Sequence, residues 1–154
     1  MLVAFAKSKN EPIRSWAAEL LVNRYTEQSE EILYHMTYDR CDIVRINAED
    51  SLCIGKQLES LLASEASAWV KVCIFTNLYL CGCEPGIDKI ADILDKAVRD
   101  GDFKVVWCVL YTLDELVTGG NEAFIKAMTR KVYSSLIPAQ HEYVREHFFP
   151  DNKR

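Results

Sequence analysis

Two stretches of the chain, "PIRSWAAELL" (residues 12–21) and "IVRINAEDSL" (residues 43–52), align without a gap and carry an arginine at the same position. The identical positions are Arg14/Arg45, Ala17/Ala48 and Leu21/Leu52. Apolar residues at steps of three and four lie on one side of an α-helix. Each stretch therefore predicts an amphipathic helix that opens with an apolar residue followed by a cation.

The same apolar–cation pair recurs along the chain. The pairs are Ile13-Arg14, Val44-Arg45, Val70-Lys71, Phe103-Lys104 and Val144-Arg145. Apolar residues three and seven positions after each of the first four cations continue the stripe: Ala17, Leu21, Ala48, Leu52, Ile74, Leu78, Trp107 and Tyr111. The cations are 31, 26, 33 and 41 residues apart, which lies in the range of helical solenoid repeats.

The rest of the chain also has helical periodicity, and no alternating run is long enough for a strand. We predict helices over residues 2–8, 11–25, 29–37, 42–54, 56–63, 66–81, 86–99, 103–118, 122–136 and 139–149. Asn10 and Ser29 are typical of helix starts, and Gly82 is typical of a helix end. Because no linker is long or rich in glycine and serine, we predict one all-α domain over residues 1–154.

An acid stands at a fixed distance before two of the cations. Asp39 precedes Val44-Arg45 by five and six residues, and Glu65 precedes Val70-Lys71 in the same way. A helix pair whose second member opens with this spacing resembles HEAT and HEAT-like repeats, closest to the short bacterial type. The other copies depart from the pattern, with Ser8, Val98 and Ala139 in the place of the acid.

The resemblance implies a short right-handed α-solenoid of about four to five stacked antiparallel helix pairs. Residues 1–10 would form an N-terminal cap helix, and residues 139–154 a C-terminal cap helix and tail. It also implies a hydrogen-bonded ladder between neighbouring repeats, in which arginine forks bind carboxylates. The predicted ladder residues are Asp39, Arg14, Arg45, Glu65, Lys71 and Lys104.

No catalytic motif accompanies this architecture. The sequence lacks a nucleophile elbow, a phosphate loop and a dinucleotide fingerprint. Cys81 and Cys83 have no further cysteine or histidine at metal-ligand spacing, and the six cysteines are expected to be thiols. We therefore predict no catalytic residue, no metal and no cofactor, and we interpret Trp16, Trp69 and Trp107 as core residues.

The charge pattern indicates the kind of partner. The formal net charge is −5, which disfavours nucleic acid and anionic lipid and favours a basic protein. Surface acids near the ends of the second helices are the expected contacts, together with one amide. These tentative partner-binding residues are Glu49, Asp50, Asn77, Asp114 and Glu115. Without a membrane-length apolar run or a signal-peptide pattern, we expect a cytoplasmic protein that is monomeric when unbound.

The resemblance extends to small acidic immunity proteins of bacteria, and it implies an adaptor that holds and neutralises a basic protein. Two other classes stay open. Similar short repeats occur in lyases that attach bilin pigments, which would make the chain an enzyme or an enzyme subunit. HEAT-like DNA glycosylases use a related scaffold, but they need a basic groove. A scaffold or regulator of another kind also stays open.

Overall fold

The computed structural model describes residues 1–23, 26–52, 55–83 and 86–150, with the backbone alone at residues 55–57. These residues form ten α-helices and one 3-10 turn (Tyr133–Ser135), and they contain no strand, which confirms the all-α prediction. The helices are α1 (Leu2–Ala6), α2 (Glu11–Val22), α3 (Glu27–Met36), α4 (Asp42–Glu49), α5 (Gly55–Leu62), α6 (Ala68–Leu80), α7 (Ile87–Asp100), α8 (Phe103–Leu116), α9 (Glu122–Val132) and α10 (Pro138–Phe148).

Helix α3 begins earlier than its sequence suggests. The sequence suggests a start at Ser29, but the N-cap is Thr26. The Thr26 hydroxyl accepts a hydrogen bond from the Ser29 backbone N–H at 3.1 Å. The Ser29 hydroxyl in turn accepts from the Thr26 N–H at 2.6 Å. This reciprocal pair satisfies two backbone donors that a helix start leaves free, so Ser29 belongs to the first turn rather than to the cap.

Helix α4 is shorter than predicted, because it ends at Glu49 rather than near residue 54. The Ser51 hydroxyl donates to the Asn47 carbonyl at 2.6 Å, so this carbonyl is bonded by the serine side chain at the helix end. Serine competes for backbone groups in this way and favours helix ends. Cys53 and Ile54, the last residues of the predicted helix, lie outside the described residues.

Two glycines terminate helices in the same manner. Gly82 and Gly101 have φ values of 71° and 69°, which side chains rarely adopt. The N–H after each glycine closes a bond to a carbonyl five residues earlier, Cys83 to Leu78 and Asp102 to Ala97, both at 2.9 Å. Both ends are Schellman-type caps, and the glycine makes each of them possible.

The helices divide into two compact units, Met1–Ile87 and Asp88–Arg154, and each is described by itself. In the first unit α1 packs on α2, α3 on α4, and α5 on α6. Helix α4 also packs against α2 and against α6, so these three helices are successive neighbours. In the second unit α10 packs on both α8 and α9. The prediction of a single domain over residues 1–154 stays a prediction.

The predicted apolar stripe forms the core of the first unit. Its members are buried in α2, α4 and α6 or directly after α4: Ala17, Leu21, Val44, Ala48, Leu52, Val70, Ile74 and Leu78. They pack with Leu33 and Met36 of α3 and with Leu58 and Leu61 of α5. The apolar side chains at steps of three and four are thus buried, as the spacing of an amphipathic helix predicts.

Three aromatic residues that the sequence assigned to the core or to the apolar stripe are exposed, namely Trp16, Phe103 and Tyr111. Trp16 was predicted to be a core residue, but it is 63% exposed. It precedes Ala17 by one position, so it does not lie on the side of α2 where Ala17 and Leu21 are buried. Tyr111 is 52% exposed, since the buried side of α8 includes Val106, Leu110 and Leu113 instead. Trp69 and Trp107 are half-buried. Helix α8 is apolar around most of its circumference, so its sequence does not show which side faces inward.

No helix within the described ranges has both the length and the apolar character needed to cross a membrane.

Candidate protein-binding surfaces

The arginine that opens α2 is fixed by an acid 25 residues later. Arg14 donates from Nε to Asp39 Oδ2 at 2.6 Å and from Nη2 to Asp39 Oδ1 at 2.8 Å. Its Nη1 donates to the carbonyls of Ser8 and Lys9. Arg14 is only 6% exposed, so this forked pair lies inside the unit and not at its edge. We call it the first rung.

The arginine that opens α4 has a similar set of partners, with Asp42 Oδ1 as an additional acceptor at 3.0 Å from Nη2. Arg45 donates from Nε and Nη2 to the two carboxylate oxygens of Glu65, at 2.8 and 3.1 Å. Its Nη1 donates to the carbonyl of Asp39, six residues before it, as Arg14 Nη1 donates to the carbonyl of Ser8. Asp39 therefore links this second rung to the first through its carbonyl and its carboxylate.

The acids of both rungs are also held in the same way. Asp39 Oδ1 accepts from the Cys41 N–H at 2.9 Å, and Glu65 Oε1 accepts from the Ser67 N–H at 2.7 Å. Burial alone would raise the pKa of Asp39, but the Arg14 guanidinium and the Cys41 N–H hold it below its ordinary value. Both acids are thus committed to internal partners and are not available to a ligand.

For Lys71 and Lys104 the ladder role stays a prediction. Lys71 is half-buried on α6, and Lys104 is exposed at the start of α8. The position six residues before Lys104 holds Val98, so the sequence provides no carboxylate there. A lysine also lacks the planar fork that binds both carboxylate oxygens.

Glu49 is not the surface acid that the sequence suggests. It is 1% exposed on the inner side of α4, and neither carboxylate oxygen has a hydrogen-bond partner within the described part of the chain. Burial raises its pKa to about 9, the negative charges of Glu65 and Asp50 add to the shift, and Arg45 opposes it. Glu49 is therefore protonated near neutral pH, and its prediction as a partner contact is wrong for this fold.

Asp50 and Asn77 do meet, as two of the tentative contact residues. Asn77 Nδ2 on α6 donates to Asp50 Oδ1 at 3.0 Å. Removal of water raises the pKa of the Asp50 carboxyl, and the Asn77 amide opposes this shift. An equivalent bond joins α4 to α2, where Asn47 Nδ2 donates to Glu19 Oε1 at 2.8 Å. Since Glu19 and Asp50 are exposed, these acids form a small negative surface, which we call the first-unit acidic surface.

A cluster of rings joins α8 to α10 in the second unit. Trp107 stacks on Tyr111 with centroids 5.3 Å apart, and Tyr143 meets both rings edge-on at 5.6 and 4.9 Å. His147 stacks on the Tyr143 ring at 4.0 Å. Edge-to-face and offset contacts at these distances are favourable. The rings therefore form a fixed platform, of which Tyr111 and His147 remain exposed.

Asp114 lies at the edge of this platform. Its Oδ2 accepts from the Tyr143 hydroxyl at 2.9 Å and lies 2.8 Å from His147 Nδ1. Within the described residues its other oxygen, Oδ1, has no hydrogen bond. Burial and the Asp114 carboxylate together raise the pKa of Tyr143, so the phenol remains a neutral donor. Exposed Glu115 follows directly on the same helix. We call Tyr111, Asp114, Glu115, Tyr143 and His147 the α8–α10 cluster.

The sequence identified the two acids of this cluster but missed its rings. Trp107, Tyr111 and Glu115 are spaced four residues apart, and so are Tyr143 and His147. Residues at this spacing are neighbours on a helix surface. This spacing could have indicated the rings, but Tyr111 was assigned to the apolar stripe.

The cysteines of the described residues, Cys41, Cys73, Cys81, Cys83 and Cys108, form no disulfide, and Cys53 lies outside the described residues. Within the described ranges no three cysteine, histidine or acidic side chains converge as metal ligands would.

No family model, curated protein or solved structure matches this chain.

Proposed function

We propose that the chain is a HEAT-like repeat protein that holds a basic protein partner and neutralises it, in the manner of an immunity-type inhibitor. The expected scaffold is a short solenoid of antiparallel helix pairs, and the partner is held by charges that the scaffold leaves exposed. The proposal has two parts, the repeat and the binding surface, which rest on different observations.

The two rungs of the first unit support the repeat. In each, an arginine near the start of an even-numbered helix forks onto the acid that precedes the next even-numbered helix. In each, Nη1 reaches a carbonyl six residues back, and the acid accepts an N–H two residues on. Four matching hydrogen bonds in each of two copies are difficult to explain unless the helix pairs are structurally equivalent.

The α8–α10 cluster is the observation that carries partner binding. Asp114 is held by a tyrosine hydroxyl and a histidine, and one of its oxygens has no bond in the described residues. Tyr111 offers a 52% exposed ring one turn away. A guanidinium or ammonium group gains both a carboxylate and an aromatic face at such a place. The first-unit acidic surface, in the same unit as exposed Trp16, supplies further complementarity to a basic protein.

Capture from a native cell extract tests the proposal. The immobilised full chain is expected to retain a protein with a high isoelectric point at about 0.1 M salt and to release most of it at about 0.5 M, because exposed charges are screened. Adding the chain in equal amount should abolish the activity of the captured protein. Retention of no basic protein, or of one whose activity is unaffected, would refute the neutralising role.

Charge-reversed variants locate the surface. Glu115→Lys is expected to lower retention at least about tenfold, because the new lysine would repel the cationic group of the partner that binds beside it at Asp114. Asp88→Lys is the matched control, since Asp88 is an exposed acid of the same unit outside the cluster and the charge change is identical. If both variants lower retention equally, net charge and not the cluster governs binding.

A further inference from the structure

A cavity in the second unit has a character opposite to that of the acidic surfaces. It measures about 290 Å³ and is lined by Arg130, Tyr133, Arg145 and Phe149. A second cavity of about 480 Å³ shares Tyr133 and Arg145 with it and extends to His141. The two cavities are neighbours along α9, the 3-10 turn and α10, since they share two lining residues, and we call them together the basic cleft.

Within the described residues, which end at Pro150, neither arginine of the cleft has a carboxylate at hydrogen-bond distance. The carboxylate of Glu142 lies 3.8 Å from Arg145 Nη2, and both side chains are largely exposed. Arg130 makes no ion pair in the described residues, and its guanidinium lies 4.7 Å from the centre of the Phe149 ring. Arg14 and Arg45, by contrast, each fork onto a carboxylate at 3.1 Å or less.

Two guanidinium groups at one cavity repel each other unless an anion lies between them. Guanidinium forks match the oxygens of phosphate and carboxylate, which makes such a pair suited to an oxyanion. Arg14 and Arg45 of the first unit bind carboxylates of the protein itself. In the described residues the arginines of the basic cleft have no carboxylate at hydrogen-bond distance.

The cleft wall also contains three aromatic rings, beside Leu136, Pro138 and the acid Glu142. Tyr133 and His141 are in contact, with ring centroids 4.2 Å apart, and Phe149 contributes a third ring. Flat ring systems stack on such walls. The volume is close to that of the small-molecule sites found in proteins, which begin at about 300 Å³. An inorganic ion alone would use the charges of this cleft but not its rings.

We propose that the basic cleft binds a small organic anion in which a planar ring carries a phosphate or carboxylate group. The anionic group would bind Arg130 and Arg145, and the ring would lie against Tyr133 and Phe149. The residues of this site differ from those of the α8–α10 cluster, although both include residues of α10.

Isothermal titration of the full chain with four probes tests the site. The probes are adenosine monophosphate, benzoate, inorganic phosphate and adenosine, so that phosphate and carboxylate sources are separated and ring and charge are also tested alone. At least one ring-bearing anion is expected to bind one to one, and at least about tenfold more tightly than both phosphate and adenosine. Absence of binding by both ring-bearing anions at millimolar concentration would overturn the proposal.

Variants assign the binding to the cleft. Arg145→Ala and Arg130→Ala are each expected to weaken the better probe by about tenfold or more, and Arg145→Lys to weaken it less than Arg145→Ala. Arg99→Ala is the matched control, because Arg99 is an exposed arginine of the same unit outside the cleft lining. Binding that survives both alanine changes, or that falls equally in Arg99→Ala, would show that the cleft is not the site.

Discussion

A carboxylate held by hydrogen bonds occurs in both units, but its role differs between the rungs of the first unit and the α8–α10 cluster of the second. Asp39 is enclosed by an arginine fork and a backbone N–H, so its charge is neutralised inside the fold. Asp114 is held by the Tyr143 hydroxyl and by His147, and its carboxylate remains partly exposed. One acid joins neighbouring helix pairs, and the other keeps its charge available to a ligand.

The difference lies in the partner that fixes each carboxylate. A permanent cation within 2.6–2.8 Å cancels the charge of Asp39, whereas Asp114 is oriented by a phenol, which carries no charge, and by a histidine, which is not a permanent cation. A fixed and partly exposed carboxylate beside exposed rings is suited to the recognition of an external cation. The variants below separate these two roles.

Breaking the first rung should have the largest effect. Asp39→Asn leaves the Arg14 guanidinium buried without its counter-charge, and the free energy of unfolding should fall by about 3–5 kcal/mol. Urea denaturation followed by circular dichroism gives the value. The exposed pair Lys89–Asp92 on α7 is the control: Asp92→Asn should cost no more than about 0.5 kcal/mol. If the two changes lower the free energy of unfolding equally, then the first rung contributes no more to stability than an exposed ion pair.

Glu49 should make stability depend on pH in an unusual direction. Its pKa of about 9 lies far above the ordinary value of 4.5, so its contribution is complete below pH 4.5 and declines as the pH rises towards 9. Between about pH 5 and pH 8 this residue should lower the free energy of unfolding by about 4 kcal/mol, with a slope of at most about 1.4 kcal/mol per pH unit.

Glu49→Gln should remove this decline, since an amide does not titrate. Urea midpoints measured across the same pH range for both proteins give the comparison. If the wild type and the variant have parallel curves, then the Glu49 carboxyl is already ionised in the folded protein, and its description as a neutral buried acid is wrong.

Loss of the Tyr143 hydroxyl, the neutral donor to Asp114, should lower stability less than loss of the Asp39 carboxylate that pairs with Arg14. Tyr143→Phe keeps the ring stacking but removes the hydroxyl, which should lower the free energy of unfolding by about 1 kcal/mol. The thermal midpoint measures this change. A loss as large as that of Asp39→Asn would mean that Asp114 has a structural role similar to that of Asp39, and the contrast between the two regions would disappear.

The helical class, the number of helices and much of the first core could be predicted from the sequence, because apolar spacing determines which side of a helix is buried. Ala17, Val44 and Leu78 illustrate this, since each lies in the predicted stripe and each is buried. Helix ends were less predictable. The bond from Ser51 to the Asn47 carbonyl and the reciprocal cap at Thr26 depend on local competition for backbone groups.

The candidate sites were predictable only in part. Asp114 and Glu115 were chosen for their charge, but their surroundings come from α10, which is about thirty residues away in sequence. Glu49 and Asp50 are adjacent in sequence, yet one is buried and the other exposed. A rotation of about 100° per residue separates neighbours on a helix, and tertiary packing decides which of them faces solvent.

The most direct test of the account measures binding and stability in the same variants. The dissociation constant of the captured basic protein, obtained by titration at low salt, is compared for the wild type, Asp114→Asn and the control Asp88→Asn. We expect Asp114→Asn to bind about tenfold more weakly, equivalent to about 1.4 kcal/mol, with a shallower salt dependence and nearly unchanged stability. Wild-type affinity in Asp114→Asn would contradict the claim that the α8–α10 cluster holds the partner.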